Sequence, residues 1–263
     1  MGNGKGRVVI HSIKRTGKSI GPLLSVEEEE HIKYMYEKCE ELRKDEEGFK
    51  ESLQYMRDCG VVFADSKDPV YYHKYFGPNA KGYHEYAGGL QAMVANVFRI
   101  LDSKRSRYNI PTLVKEFHFS KYNRLNGEGE SLATYHADKK HIIFYIPLMQ
   151  ERYEDFPTIE ADYRYGWLSA FGDVGVLAHE YGHALYYGLK YSHGYTLDSF
   201  LSKTKRLRSN SAYGNSSAEE AFAEAFASYV TGSNVRTNAY ISKFDGLMKE
   251  VGFDGVKDIF VPK

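Results

Sequence analysis

The sequence contains the run His179-Glu180-Tyr181-Gly182-His183, in which two histidines lie four residues apart. On a helix, side chains at this spacing project from one face, so both imidazoles can bind the same metal ion. Neutral imidazole nitrogens suit zinc. Glu180 can face the open coordination position and act as general base on a zinc-activated water. These residues therefore predict a zinc site that hydrolyses peptide bonds.

Zinc in such a site needs a third protein ligand from elsewhere in the chain. The metzincin pattern would require Gly at 186 and His at 189, but the chain has Tyr186 and Leu189 there. His193 is out of register with that pattern. The acidic stretch at 218–226 is the better source, because its carboxylates lie among small and aromatic residues and need a strong partner.

Helical geometry separates the three glutamates of this stretch. Glu220 and Glu224 are one turn apart and share a face, so Glu220 can reach the metal while Glu224 accepts the other ring N–H of a ligand histidine. Glu219 has no such partner, and it can form a capping box with Ser216. In the alternative register, Ser217 forms the capping box with Glu220, and Glu220 is then structural.

A tyrosine in a loop precedes the acidic stretch. Tyr213 lies seven residues before Glu220, where its phenol could reach the zinc site and donate to the oxyanion of a tetrahedral intermediate. An ordinary loop tyrosine is the alternative interpretation, since the chain has 23 tyrosines.

As a set, these motifs resemble the catalytic domain of anthrax lethal factor and, in general plan, the clostridial Pro-Pro endopeptidases. The resemblance rests on His-Glu-aromatic-Gly-His-Ala at 179–184, Tyr-Gly at 213–214 and Glu-Ala-Phe-Ala-Glu-Ala-Phe at 220–226. It implies a zinc metalloendopeptidase of the gluzincin type with one zinc ion per chain. The implied residues are two histidine ligands, a glutamate ligand, the acidic residue one turn after it, the general base and a transition-state tyrosine: His179, His183, Glu220, Glu224, Glu180 and Tyr213.

The resemblance also implies an α+β, zincin-like fold. In that fold a small mixed sheet, with a substrate-aligning edge strand, packs on the helix that carries the two histidines, and N-terminal helices are added. The run at 141–146 is the expected edge strand, and a protein or peptide substrate would bind extended along it. The toxin's receptor-binding and insert domains have no room in this chain, so toxin function and Pro-Pro specificity do not carry over. Phage and prophage proteins carry similar domains, which makes a phage or mobile-element origin a further hypothesis.

Sequence patterns also predict the elements that position these residues. Helical apolar spacing or helix caps predict helices at 26–44, 47–57, 90–102, 173–187, 196–208 and 218–230, and one more near the C-terminus. Strand-like runs lie at 113–119, 131–136 and 141–146. Ser25 and Glu28 form a capping box, and Asp173 is the expected cap of the histidine helix. Residues 65–89, rich in Tyr, Gly, Pro and His, are predicted to form a loop.

The N-terminal residues differ in composition from the rest. Residues 1–24 are rich in Gly and Lys and are predicted to be a flexible or partner-bound arm. Residues 25–263 are predicted to form a single domain with an N-terminal helical part, 25–110, and a catalytic core, 111–263. Residues 1–7 lack the apolar segment of a signal peptide, which predicts a cytoplasmic chain, delivery by a non-Sec route or association with a virion.

Composition argues against two classes of partner. Lys and Arg together number 35, as do Asp and Glu, so the net charge draws the chain neither to nucleic acid nor to an anionic membrane surface. No apolar run approaches the roughly 20 residues that span a bilayer. We therefore expect neither nucleic-acid binding nor a membrane span.

Two other functions compete with the zinc endopeptidase. One is a structural or interaction protein on a zincin scaffold, such as a virion component or delivered effector, with secondary or no proteolytic activity. Its motivation is the 1–24 segment, which could contact a virion or toxin-complex partner, together with the helices that follow. The other is a peptidase of the phage-repressor-cleaving type, against which the spacing of Tyr213 argues.

Overall fold

The computed structural model of the chain describes residues 24–64, 81–105, 110–111, 113–120, 132–150, 152–153, 156–233 and 238–261. Residues 1–23 of the predicted arm and 65–80 of the predicted loop lie outside the described residues. The described part is α+β, mostly helical with one small mixed sheet, as the sequence predicted. No helix in it is both long and apolar enough to cross a membrane. The division into an arm and one domain stays a prediction.

The helices of the described residues, in chain order, are α1 (Val26–Lys44), α2 (Glu46–Asp58), α3 (Lys81–Arg105), α4 (Ile146–Met149), α5 (Thr158–Arg164), α6 (Gly172–Ser192), α7 (Gly194–Thr204), α8 (Ala218–Thr231) and α9 (Ala239–Glu250). The strands are β1 (Val62–Phe63), β2 (Glu116–Ser120), β3 (Ala133–His136), β4 (His141–Tyr145), β5 (Arg152–Tyr153) and β6 (Phe156–Pro157). Short 3₁₀ turns lie at Tyr213–Asn215 and Asp254–Val256.

The predicted first helix is confirmed, together with its cap. Ser25 Oγ accepts the Glu28 N–H at 3.2 Å, and the Glu28 carboxylate accepts the Ser25 N–H at 2.9 Å. The loop predicted over 65–89 is wrong at its C-terminal end, because α3 already begins at Lys81. Weak helix formers such as Gly and Tyr precede Leu90 there, but extending a helix that packing has already nucleated costs little.

The main sheet has the strand order β1-β2-β4-β3. β1 pairs with β2 and β2 with β4 in parallel, whereas β3 pairs with β4 antiparallel. The prediction that 141–146 forms the edge is therefore wrong: β4 is an inner strand, and β1 and β3 are the two edge strands of this sheet in the described residues.

The helix that carries the two histidines lies in the centre of the molecule. Most positions of α6 are buried, and it contacts α1, α3, α8 and β3. Asp173 is not its cap, as the sequence had suggested: the cap position is Phe171, and Gly172 has a positive φ of 78°. The Asp173 carboxylate instead forms an ion pair with Arg43 of α1. The helix also continues past Gly188 to Ser192.

Candidate metal centre

Two packed helices bring the predicted ligands together. His179 and His183 are buried on one face of α6, and Glu220 is buried in the first turn of α8. α6 and α8 make the most extensive contact between any two elements of the described chain. Gly182 permits it, because a Cβ there would lie 2.9 Å from Ala223 Cα. The glycine between the histidines thus sets the distance from one ligand helix to the other.

The three ligand atoms form a nearly equilateral triangle. His179 Nε2 and His183 Nε2 are 3.1 Å apart, and Glu220 Oε2 lies 3.1 Å from the first and 3.2 Å from the second. Ligand atoms bound at 2.0–2.1 Å by a tetrahedral zinc ion are about 3.3 Å apart. Two imidazole nitrogens and one carboxylate oxygen are also a donor set that zinc accepts. The residues present therefore fit a zinc ion.

Glu224 contacts the ring nitrogen of His179 that does not face the triangle. His179 Nδ1 lies 2.7 Å from Glu224 Oε1, one turn after Glu220 on the same helix. The other Glu224 oxygen accepts the Ser169 N–H at 2.6 Å, and Ser169 Oγ donates to the Glu224 carbonyl at 2.7 Å. Donation from Nδ1–H to Glu224 would leave the lone pair of Nε2 directed at the triangle. Ser169 was missed in the sequence because it lies far from the motif and has no characteristic spacing.

We call the group of His179, His183, Glu220 and Glu224 the His/Glu cluster, and its carboxylates favour positive charge on the histidines. Burial alone would lower the pKa of His179, but the carboxylates of Glu220 and Glu224 raise it well above its ordinary value. Burial would raise the pKa of Glu220, but the two histidines lower it to about 2. Protonation of His179 is one way to supply that positive charge. A metal ion would take its place, since metal ligands must be deprotonated.

The predicted base, Glu180, directly follows His179 on α6. Its side chain is 0% exposed, and none of the described residues forms a well-aligned hydrogen bond with either carboxylate oxygen. Burial raises the pKa of Glu180 to about 7, although the electrostatic interaction with the neighbouring histidines acts in the opposite direction. The backbone N–H of Tyr135, in β3, faces this carboxylate. A carboxyl with a pKa near neutrality can both take and return a proton.

Tyr213 lies beside the His/Glu cluster, in the 3₁₀ turn that leads into α8. Its ring centre is 5.8 Å from that of His179 and 6.2 Å from that of Trp167. Its N–H donates to the Trp167 carbonyl at 3.2 Å, which ties this turn to the segment before α6. The side chain is buried. The structure thus brings the predicted tyrosine to the ligands, while its part in catalysis stays a prediction.

The cap of α8 differs from the register that the sequence favoured. Ser217, not Ser216, is the N-cap, and its Oγ accepts the Glu220 N–H at 3.1 Å. The Glu220 side chain is nevertheless directed at the two histidines rather than back at the cap. Glu219 accepts a hydrogen bond from the Tyr187 hydroxyl at 3.2 Å. Only the backbone of Glu220 serves the cap, so its carboxylate stays available as a ligand.

Comparisons of the chain with protein-family models, with curated proteins and with solved structures gave no match. The likeness to the lethal factor catalytic domain therefore rests on the motif residues alone. The arrangement of these residues in space is the observation that can support a function.

Proposed function

We propose that this protein is a zinc-dependent endopeptidase with a zincin-like fold, in which His179, His183 and Glu220 bind one zinc ion. The triangle of two Nε2 atoms and one carboxylate oxygen, 3.1–3.2 Å on each side, carries the proposal. An imidazole nitrogen accepts or donates according to its tautomer, so two of them and a carboxylate oxygen converge in a buried site only around shared protons or a shared cation. A single proton on His179 can be directed at only one of the other two atoms.

The residues around the triangle divide the work of peptide hydrolysis. When bound, zinc supplies Lewis acidity, which polarises the scissile carbonyl and lowers the pKa of the attacking water. Glu180 takes the proton of that water and passes it to the leaving amine. Tyr213 donates a hydrogen bond to the oxyanion of the tetrahedral intermediate. Glu224 holds the ring of His179 in the orientation and tautomer that binding requires.

The substrate is a protein or peptide that binds extended beside β3. The register of β3 on β4, with the Tyr145 N–H bonded to the Leu132 carbonyl, leaves the N–H of Tyr135 directed away from β4. The same N–H faces Glu180. A chain that adds to β3 as a further strand would therefore pass next to the general base. β3 thus takes the role that the sequence had given to 141–146.

Zinc content and the Glu180→Gln variant test this proposal. Purified protein is expected to contain about one zinc ion per His/Glu cluster, and mass spectrometry should detect cleavage of a diverse peptide library. Glu180→Gln should keep its zinc but cleave about 10²–10⁴-fold more slowly, because the base is lost while the ligands remain. Glu219→Gln, which changes the Tyr187 contact outside the cluster, is the matched control and should cleave normally.

Two results would contradict the proposal. If Glu180→Gln cleaved as fast as the parent chain, this carboxylate would not be the base. If the parent chain bound zinc in the His/Glu cluster but cleaved no peptide, the alternative of a structural or interaction protein on the same scaffold would gain support.

A further inference from the structure

A second group of imidazoles lies on one face of the main sheet. Glu116 and His118 are two residues apart on β2, so their side chains project from the same face. In the strand register His141 of β4 faces Glu116 on one side and His136 of β3 on the other. We call these four residues the sheet-face cluster. Phe117, which alternates with its members on β2, is fully buried on the opposite face against Phe98.

Side-chain contacts within the sheet-face cluster are close. One ligand atom each from Glu116, His118 and His141 lies within 4.8 Å of the other two. His118 Nε2 is 3.1 Å from Glu116 Oε2. The ring centre of His141 is 4.6 Å from that of His118 and 4.7 Å from that of His136. Three imidazoles and a carboxylate thus meet across three strands.

The central histidine of the cluster has an unsatisfied nitrogen. His141 is only 7% exposed, and its Nε2 is buried without a hydrogen-bond partner among the described residues. Leaving such an atom unpaired costs free energy, so it indicates a missing partner. An imidazole nitrogen without a hydrogen-bond partner is a potential ligand for a metal ion.

We propose that the sheet-face cluster is a second metal site, which binds a divalent transition-metal ion through His118, His141 and Glu116. Imidazole with one carboxylate suits zinc, nickel or copper rather than magnesium or calcium. The side chains of His118 and Glu116 are 30% and 46% exposed, which gives an ion a path from solvent to the buried nitrogen. The ring of His136 is close enough to join as a further ligand. An ion held there would tie β2 to β4, and through His136 to the edge strand β3.

The site shares no residue with the His/Glu cluster, so the two metal-binding proposals can be tested apart. The sequence did not indicate it, since its histidines come from three strands and lack a motif spacing. The alternation on β2, the parallel pairing of β2 with β4 and the short turn between His136 and His141 together place them on one face.

Zinc titration of the full chain tests the second site. Protein stripped with a chelator is titrated with zinc by calorimetry, and the zinc retained after gel filtration is measured by elemental analysis. Cobalt absorption spectra report nitrogen ligation. The parent chain is expected to bind two equivalents, His118→Gln one, and His193→Gln two. His193 is the matched control, because it makes the same change at a histidine whose contact is Ser192 and not the cluster.

A second pair of variants separates the two sites. His183→Gln, in the His/Glu cluster, should lose one equivalent and keep the one that His118→Gln loses. Glu116→Gln, at a half-exposed side chain, should weaken the second site at least tenfold without unfolding the chain, which circular dichroism checks. If His118→Gln and Glu116→Gln both bind as many equivalents of zinc as the parent chain, and with the same affinity, the second site is overturned. If one equivalent is bound and only His118→Gln loses it, the second site stands and zinc binding by the His/Glu cluster fails.

Discussion

Two buried groups of polar and charged side chains contact the same helix, α6, and they differ in whether their hydrogen-bond donors match their acceptors. The first, the Asp/Arg cluster, consists of Tyr55, Asp102, Arg105 and Tyr181. Its carboxylate, Asp102, accepts two hydrogen bonds from the Arg105 guanidinium at 2.6 and 2.9 Å, and one from each phenol, at 2.9 Å from Tyr55 and 3.1 Å from Tyr181. Every acceptor in this group faces a donor from the chain itself.

The His/Glu cluster lacks that internal balance. In it the carboxylate of Glu220 and the Nε2 atoms of His179 and His183 face one another at 3.1–3.2 Å, and only protons on the imidazoles or a metal ion can lie between them. Tyr181 of the first group and His179 of the second are two residues apart on α6, so burial alone does not separate the two cases. The difference teaches that a buried polar group whose donors match its acceptors is complete within the fold, whereas one whose donors do not match is a candidate site.

A substitution in the Asp/Arg cluster is the strongest test of this comparison, because it should lower stability without changing metal binding. Asp102→Asn leaves the buried Arg105 without a full counter-charge, and we expect it to lower the free energy of unfolding by about 3–5 kcal/mol. Zinc content after purification should not change, since no ligand contacts Asp102. Urea unfolding and elemental analysis measure the two effects. Asp58→Asn, at an exposed residue bonded to Gln54, is the control and should change stability by less than about 0.5 kcal/mol.

If Asp102→Asn unfolded at the same urea concentration as the parent chain, or lost its zinc while folded, the division between a structural group and a site would fail.

Glu224→Gln changes the His/Glu cluster at the residue that contacts no other ligand than His179. The amide can no longer stabilise the ring as a full carboxylate does, so zinc affinity should fall about 10–100-fold. Competition with a chromophoric chelator measures it. Glu219→Gln, on the same helix but bonded to Tyr187, should keep the affinity of the parent chain. Equal affinities for the two variants would show that Glu224 does not act on the metal through His179.

Much of this arrangement could be predicted from the sequence, because helical spacing fixes which side chains share a face. The pair His179 and His183 follows from a spacing of four, and Glu220 with Glu224 follows from the same rule. The capping box at Ser25 needed only local hydrogen bonds, and it is confirmed. For these residues, local geometry and the final structure agree.

The features that the sequence did not reveal depend on partners distant in the chain. That β3 rather than β4 is an edge strand follows from which strand pairs with β2, and an apolar run does not specify its neighbours. Asp173 has the type and position of a helix cap, but an ion pair with Arg43 of α1 gives its carboxylate another role. Ser169 reaches Glu224 only because the segment before α6 folds back over α8.

Gly182→Ala tests the same comparison and is expected to cause the smallest change in stability. The added Cβ would meet Ala223 Cα at 2.9 Å and the Ala223 carbonyl oxygen at 3.2 Å, both on the backbone of α8, so the two helices must separate slightly. Overpacking costs about 1–3 kcal/mol, whereas replacing a mid-helix glycine gains about 1 kcal/mol, which leaves a net loss of about 1 kcal/mol. Zinc affinity should fall as well, because Glu220 moves with α8. The hydrogen bond from Tyr181 to Asp102 should persist, because Asp102 lies on α3 and not on α8.

Gly246→Ala in α9 is the control for this change, because a Cβ there would meet nothing within 4 Å. It should gain stability by up to about 1 kcal/mol and leave zinc affinity alone, since only the helix-propensity effect remains. The two alanines are therefore expected to change the free energy of unfolding in opposite directions, as measured by urea unfolding of the metal-free chains. If both stabilised the protein and neither weakened zinc binding, close contact between α6 and α8 would not be what sets the distance between the histidines and Glu220.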